Sequence, residues 1–208
     1  MLYLFIFLGT ILVFLVVYFV FCIFAKKAMD TLYQQIQENE PKVQEQLKND
    51  GFVITSTVDA EIPIAQHKGL KTERFWAPSM RLYVDSQNKR IAIGGYIGGA
   101  SVKYFNYNEI AGYDIVQSGE SIKSTTLASG YTTSTGGAIG VGTTTSTQYI
   151  DNLQLVIYST NIDQPTYTLQ LVEGRLDTTT PGYKKMLEFA QGVKAVLTNI
   201  LKENGINE

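Results

Sequence analysis

The chain has 208 residues and a net charge of −2, with 17 basic and 19 acidic side chains. This balance lacks the strongly basic character of general nucleic-acid binders, so no nucleic-acid partner is expected. One cysteine and one histidine are too few for a zinc site, and we expect no metal or other cofactor.

The N-terminal segment is a predicted transmembrane anchor. Residues 2–25 carry no charged side chain. A helix of that length measures about 36 Å, which crosses a hydrocarbon core of about 30 Å. The apolar stretch is longer than that of a cleaved signal peptide and has no basic residue ahead of it. We therefore predict a single-pass anchor over residues 1–25, with the lipid bilayer as its partner.

The orientation of this anchor is predicted from the two residues that follow it. Lys26 and Lys27 come directly after the apolar segment, and no lysine or arginine precedes it. Because cytoplasmic flanks of membrane helices are enriched in these residues, Lys26 and Lys27 are the topology-determining residues. They predict a cell-membrane protein with its N-terminus outside and its soluble domain in the cytoplasm.

Residues 26–50 form a predicted helical connector. Apolar side chains recur at helical spacing, Asp50-Gly51 is a stop signal, and Pro41 is expected to end or kink the helix. One interpretation is a weak homodimer, formed as a short coiled coil through residues 26–49. The other, favoured because three or four clean heptads are missing, is a helix packed on its own domain.

The remaining residues, 51–208, form one predicted domain, mainly β. A weak strand ends at Pro63, and the polar turn 86–88 joins a hairpin. The predicted strands are 52–64, 79–85, 89–96, 102–107, 113–117, 153–158 and 167–172. A closing helix is predicted from its cap at Thr180 and Pro181 to Gly205, with Leu197 on its apolar face.

Two runs of this domain resemble a known family. They are Arg81-Leu-Tyr-Val-Asp85 with Asn88-Lys-Arg-Ile-Ala-Ile93, and Phe105-Asn-Tyr-Asn-Glu-Ile-Ala-Gly-Tyr-Asp-Ile-Val116. They are similar to bacterial pleckstrin-homology-like proteins of Gram-positive bacteria and phages, which often carry a SHOCT module. Over residues 71–204 the resemblance implies a β-barrel or sandwich capped by the C-terminal amphipathic helix. This chain differs by its own anchor and by having no SHOCT segment after the helix.

Residues 124–147 are rich in glycine and threonine and are predicted to form a flexible loop. The glycines from Gly136 to Gly142 lack the lysine and serine or threonine that complete a phosphate-binding loop, which argues against a nucleotide site. A second interpretation has Ala138, Ile139 and Val141 touching the bilayer or the barrel.

Basic residues outnumber acidic ones seven to two between Lys68 and Lys103. Within this stretch, Arg81, Lys89 and Arg90 are candidate contacts to anionic lipid, which attracts each nearby cation by up to about 1 kcal/mol. A solvated face of mixed charge is the alternative, and it is favoured because the lysine-rich signature of phosphoinositide binders is missing. The segment 75–78, predicted to lie outside the strands, is interpreted as core packing rather than a partner contact.

The sequence offers no catalytic motif. His67 is the one candidate base, in a polar turn over residues 65–69, and no Gly-x-Ser-x-Gly elbow is present. We therefore expect a non-catalytic binding or scaffold domain, whose ligand is a protein or the anionic membrane surface. The alternatives are an extracytoplasmic envelope enzyme or its accessory subunit, and a structural or phage-encoded membrane factor.

Overall fold

A computed structural model describes residues 2–68, 71–127 and 142–206. The elements are α1 (Leu2–Asn49), β1 (Ser56–Lys68), β2 (Lys71–Asp85), β3 (Arg90–Gly95), β4 (Ser101–Asn106), a 3-10 turn (Tyr107–Glu109), β5 (Ile110–Leu127), β6 (Gly142–Ser159), β7 (Thr166–Asp177) and α2 (Pro181–Glu203). The strands form two antiparallel sheets, ordered β1-β2-β3-β4 and β5-β6-β7. The predicted class, β sheets flanked by a long apolar helix and a closing helix, is confirmed in these general terms.

α1 continues without a break from the apolar segment through the connector. It ends where the stop signal predicted, with Gly51 at φ 64°. Pro41 was expected to end or kink the helix. It lies inside α1, so the helix does not end there, and a kink stays a prediction. Ile36 and Val43, on either side of the proline, are buried against the first sheet. Their burial offsets the backbone hydrogen bond that the proline removes.

The β1–β2 hairpin is longer than the sequence predicted. β1 continues past Pro63, and β2 includes the aromatic segment 75–78, which was predicted to lie outside the strands. Both prolines occupy positions that a sheet tolerates. Pro63 is on the edge strand, and Pro78 stands beside a register shift between Ala60 and Glu61.

The chain divides into two compact units, residues 1–104 (unit 1) and residues 105–208 (unit 2). The division lies inside the predicted domain 51–208, because α1 packs on the first sheet. The described core of unit 1 consists of Ile36, Val43, Leu47, Phe52, Ile64, Ala77, Tyr83, Ala92 and Tyr96.

In unit 2, α2 packs on β5 and β7. Its predicted ends are confirmed, because the Thr180 side chain accepts a hydrogen bond from the Tyr183 N–H, Pro181 begins the helix, and Gly205 has φ 77°. Leu197 is fully buried on its apolar face.

Strands β5 and β6 extend into the predicted loop 124–147 from its two ends. β5 and β6 pair as far as Leu127 and Gly142. Residues 128–141, with Ala138, Ile139 and Val141, lie outside the described residues.

Candidate functional site

α1 is, over the described ranges, the one helix long and apolar enough to cross a membrane. Its large apolar side chains from Ile11 to Phe24 are exposed, as expected of a surface that faces lipid. Lys26 and Lys27 are exposed where this stretch ends. The arrangement fits a single-pass membrane protein, and the orientation drawn from the two lysines stays a prediction.

The connector half of α1 belongs to the hydrophobic core of unit 1. Val43 and Leu47 are fully buried, and Val43 comes so close to the sheet that a methyl group on Gly94 would lie 2.7 Å from its Cγ1 atom. Glycine at this position therefore permits the close approach. Packing on its own domain is thus the interpretation that the described residues support, while a homodimer through residues 26–49 stays a prediction.

A buried polar contact also fixes α1 against the sheet. Asn39 Nδ2 donates a hydrogen bond to the backbone oxygen of Tyr96 at 2.9 Å, and the hydroxyls of Tyr96 and Tyr83 lie 2.6 Å apart. Burial, followed by the hydrogen bond with Tyr83, raises the pKa of Tyr96. The phenol is therefore neutral at ordinary pH, and the pair acts as a structural link.

Arg81 connects α1 to the edge strand. Its Nη1 atom lies 2.7 Å from Glu40 Oε1, its Nε and Nη2 atoms donate to the carboxylate of Asp59, and its side chain is only 16% exposed. Burial alone would lower the pKa of Arg81, but the hydrogen bond to Asp59 raises it. The guanidinium therefore stays charged and bidentate, a geometry that favours positioning.

Asp85 is a fully buried carboxylate at the end of β2. It accepts hydrogen bonds from the backbone N–H groups of Val53 and Asn88, each at 3.0 Å, and from Arg90 Nε at 3.0 Å. Burial would raise the pKa of Asp85, but hydrogen bonds from the Asn88 side chain and these donors lower it to about 2. The carboxylate thus joins the β2–β3 turn to the segment after α1.

Arg90 also caps the C-terminal end of α1. Its terminal nitrogens donate to the backbone oxygens of Asp50 and Gly51, and its guanidinium carbon lies 5.0 Å from the ring centroid of Phe52. A cation at this end of a helix is favoured because the last carbonyl groups carry partial negative charge.

The predicted lipid contacts lie at two levels along α1. Arg81 is level with Glu40, 14 residues or about 21 Å beyond Lys26, and the β2–β3 turn with Lys89 and Arg90 lies farther still. Arg90 contacts Asp50, which is 24 residues beyond Lys26, or about 36 Å along the helix. At a tilt of 40° that height is still about 28 Å, several times the Debye length of about 8 Å. Lys89 is exposed in the β2–β3 turn with φ 52°. Lipid contact by Arg81, Lys89 and Arg90 stays a prediction, and this geometry does not favour it.

His67 and the aromatic segment 75–78 both belong to the β1–β2 hairpin. The backbone of His67 lies in β1 opposite Thr72 rather than in a turn, and its side chain lies outside the described residues. Phe75 stacks edge-on against Tyr33 at 5.2 Å, which agrees with the core-packing interpretation of its segment. Among the residues that the structure describes, no group of His, Cys, Asp and Glu could hold a metal ion.

The sequence did not predict the partners of the buried charges. The turn spacing Asp85-x-x-Asn88-x-Arg90 is a local pattern that could have indicated the Asp85 cluster. Glu40 and Asp59 carry no such pattern, because they meet Arg81 from different elements.

Comparisons with known proteins give no match. No family model, curated protein or solved structure matches the chain. The resemblance to pleckstrin-homology-like proteins therefore stays a prediction from the residues that carry it.

Proposed function

We propose that this chain is a membrane-anchored, non-catalytic binding or scaffold protein whose soluble part faces the cytoplasm. Its ligand is a protein or the anionic membrane surface. One observation carries the proposal: the helix that contains the candidate span also contributes Ile36, Val43 and Leu47 to the core of unit 1. A sheet attached in this way is held at a set height above the bilayer, unlike a domain on a flexible linker.

A pleckstrin-homology-like fold is part of the proposal. Four strands, then three strands, then one closing helix is the element order of that fold. In unit 2 the apolar face of α2 is buried and the helix packs on the second sheet, as expected of a capping helix. The two runs that resemble the family are residues 81–93 and 105–116. The first covers the β2–β3 hairpin, and the second extends from the end of β4 into β5. Both contain strand residues, as expected of motifs that pack a β domain.

The state of the buried ionisable groups supports a non-catalytic role. Asp85, whose pKa is lowered, accepts hydrogen bonds from backbone and side-chain donors that join elements of unit 1. Arg81 is likewise engaged by two carboxylates. A catalytic group needs an atom available to substrate in a cleft, and these contacts are structural.

A pair of C-terminal fusions tests the cytoplasmic placement. A fluorescent-protein fusion should be bright, and an alkaline-phosphatase fusion should be inactive, because that enzyme matures only outside the cytoplasm. The control replaces Lys26 and Lys27 by glutamine, which should weaken the orientation bias. An active phosphatase in the unaltered chain would place the domain outside and favour an envelope enzyme or its accessory subunit.

Photo-crosslinking in the native cell tests the binding role. A photoreactive residue at Ile162, which is 92% exposed, or at Tyr158, 40% exposed, should give a discrete protein or lipid adduct. The same residue at the exposed polar position Glu203 is the matched control. Absence of any discrete adduct at the two apolar positions would favour a purely structural or phage-encoded membrane factor.

A further inference from the structure

The β1–β2 hairpin runs back along α1 towards the candidate span. The ring of Phe75 lies 5.2 Å from that of Tyr33 on α1. Four further register pairs follow, ending with Lys68 opposite Lys71, which is about 13 Å of strand. Lys26 lies seven residues before Tyr33, or about 10 Å along the helix. The end of the hairpin therefore comes level with the last apolar turn of the span.

A groove of about 540 Å³ lies at this level, between α1 and the hairpin, within unit 1. Its α1 wall is mainly apolar and includes Phe21, Ile23 and Met29. Lys26 and Arg74 also line it, both side chains are exposed, and no acidic residue is among the described residues that line it. The groove thus joins an apolar wall to two cationic groups.

The order of these groups matches that of a phospholipid in a leaflet. Phe21 and Ile23 belong to the predicted span, at hydrocarbon depth, and Lys26 follows within one turn, at headgroup depth. An acyl chain is the ligand that the apolar wall meets inside a bilayer, and a phosphate is the group that lysine and arginine attract there. Register also brings Lys68 and Lys71 to the same end of the hairpin.

We propose that this groove binds one anionic phospholipid of the surrounding leaflet, with its phosphate between Lys26 and Arg74 and an acyl chain along α1. The inference rests on the proposed membrane anchoring, but it does not depend on which side of the membrane the domain faces. The site uses the β1–β2 end of the first sheet, opposite the β2–β3 turn that carries Lys89 and Arg90.

The test uses the full chain in nanodiscs, which are open on both faces, so orientation plays no part. The discs contain phosphatidylcholine and phosphatidylglycerol, and one lipid at a time carries a diazirine on its acyl chain. We expect the phosphatidylglycerol probe to label peptides that contain residues 21–29 and 72–74 at least fivefold more than the phosphatidylcholine probe. A factor of about five per cation corresponds to the usual attraction near an anionic surface.

Variants assign the selectivity to the groove. Lys26→Gln and Arg74→Gln should each reduce the phosphatidylglycerol labelling about fivefold, and the two factors should multiply in the double variant. The matched control, Lys48→Gln with Lys89→Gln, removes the same charge from exposed positions away from the groove and should change it less than twofold. Fluorescence of the single tryptophan, Trp76, checks that each variant is folded.

Two results would overturn the inference: equal labelling by both probes, or labelling unaffected by the groove variants. In each of these, a chain retained in the discs leaves the proposed anchoring intact. A chain that does not enter the discs would overturn the anchoring as well.

Discussion

Replacement of Gly94 by alanine should force α1 and the first sheet apart. A Cβ atom there would lie 2.7 Å from Val43 Cγ1 and 3.0 Å from Tyr83 Cε2, whereas carbon atoms pack at about 3.5–4.0 Å. Val43 cannot rotate away cheaply, because valine in a helix keeps one χ1 rotamer. The ring of Tyr83 is buried and hydrogen-bonded. We expect Gly94→Ala to destabilise unit 1 by about 1–3 kcal/mol, the usual cost of overpacking.

The assay is urea unfolding of the full chain in detergent micelles, followed by tryptophan fluorescence. Trp76 is the only tryptophan and lies in β2, so its emission reports unit 1. Gly182→Ala, in α2 of unit 2, is the control for glycine replacement as such, because a Cβ there would meet nothing within 4 Å. Its unfolding is followed by circular dichroism, since Trp76 reports unit 1. Since alanine is the better helix former, this control should be neutral or slightly stabilising.

A double substitution separates overpacking from a general glycine effect. Val43→Ala alone removes two buried methyl groups and should cost about 2–3 kcal/mol. Combined with Gly94→Ala, the new methyl group occupies part of the vacated space. The double variant should therefore be more stable than the sum predicts by about 0.5–2 kcal/mol. Additive costs, or a Gly94→Ala variant as silent as the control, would refute the close contact between α1 and the sheet.

Three further predictions concern single residues. Leu197→Ala should lower the free energy of unfolding by about 2–5 kcal/mol, because the side chain is fully buried. Lys194→Ala, at an exposed position, should change it by no more than about 0.5 kcal/mol. Equal small losses in urea unfolding followed by circular dichroism would show that α2 does not cap the sheet. Because its hydrogen bonds hold the pKa of Asp85 at about 2, below the unfolded value, its contribution is present above about pH 4 and lost as pH falls towards 2. This contribution is on the order of 2 kcal/mol, because a difference of one pKa unit corresponds to about 1.4 kcal/mol. An Asp85→Asn variant with unchanged acid sensitivity would contradict it. Thr180→Ala should cost about 1 kcal/mol in the same unfolding assay, and no loss would show that the cap is not used.

Local patterns in the sequence were sufficient for several elements. The β2–β3 hairpin is confirmed because its polar turn is encoded within a few residues, with Asp85 accepting from the Asn88 N–H. The ends of α2 are confirmed for the same reason, since Thr180 and Gly205 act on the backbone next to them. The candidate span needs only a run of apolar residues.

Prolines misled the sequence analysis where tertiary contacts outweigh local preference. Pro41 does not end α1, because the residues around it bury apolar surface against the first sheet. Pro63 does not end β1, because β1 is an edge strand, where a ladder hydrogen bond is needed on one side only. A proline's effect therefore depends on which backbone N–H the sheet or helix needs at that position.

The sequence by itself determined what one helix or one turn can encode: an apolar candidate span, a β2–β3 hairpin and a capped closing helix. The tertiary structure decided which charges meet. Arg81 is held by Glu40 and Asp59, and Arg90 lies at the far end of α1 from Lys26. The groove beside the span arises because the β1–β2 hairpin extends back along the helix. Such placements depend on packing between residues distant in the chain, and no local pattern specifies them.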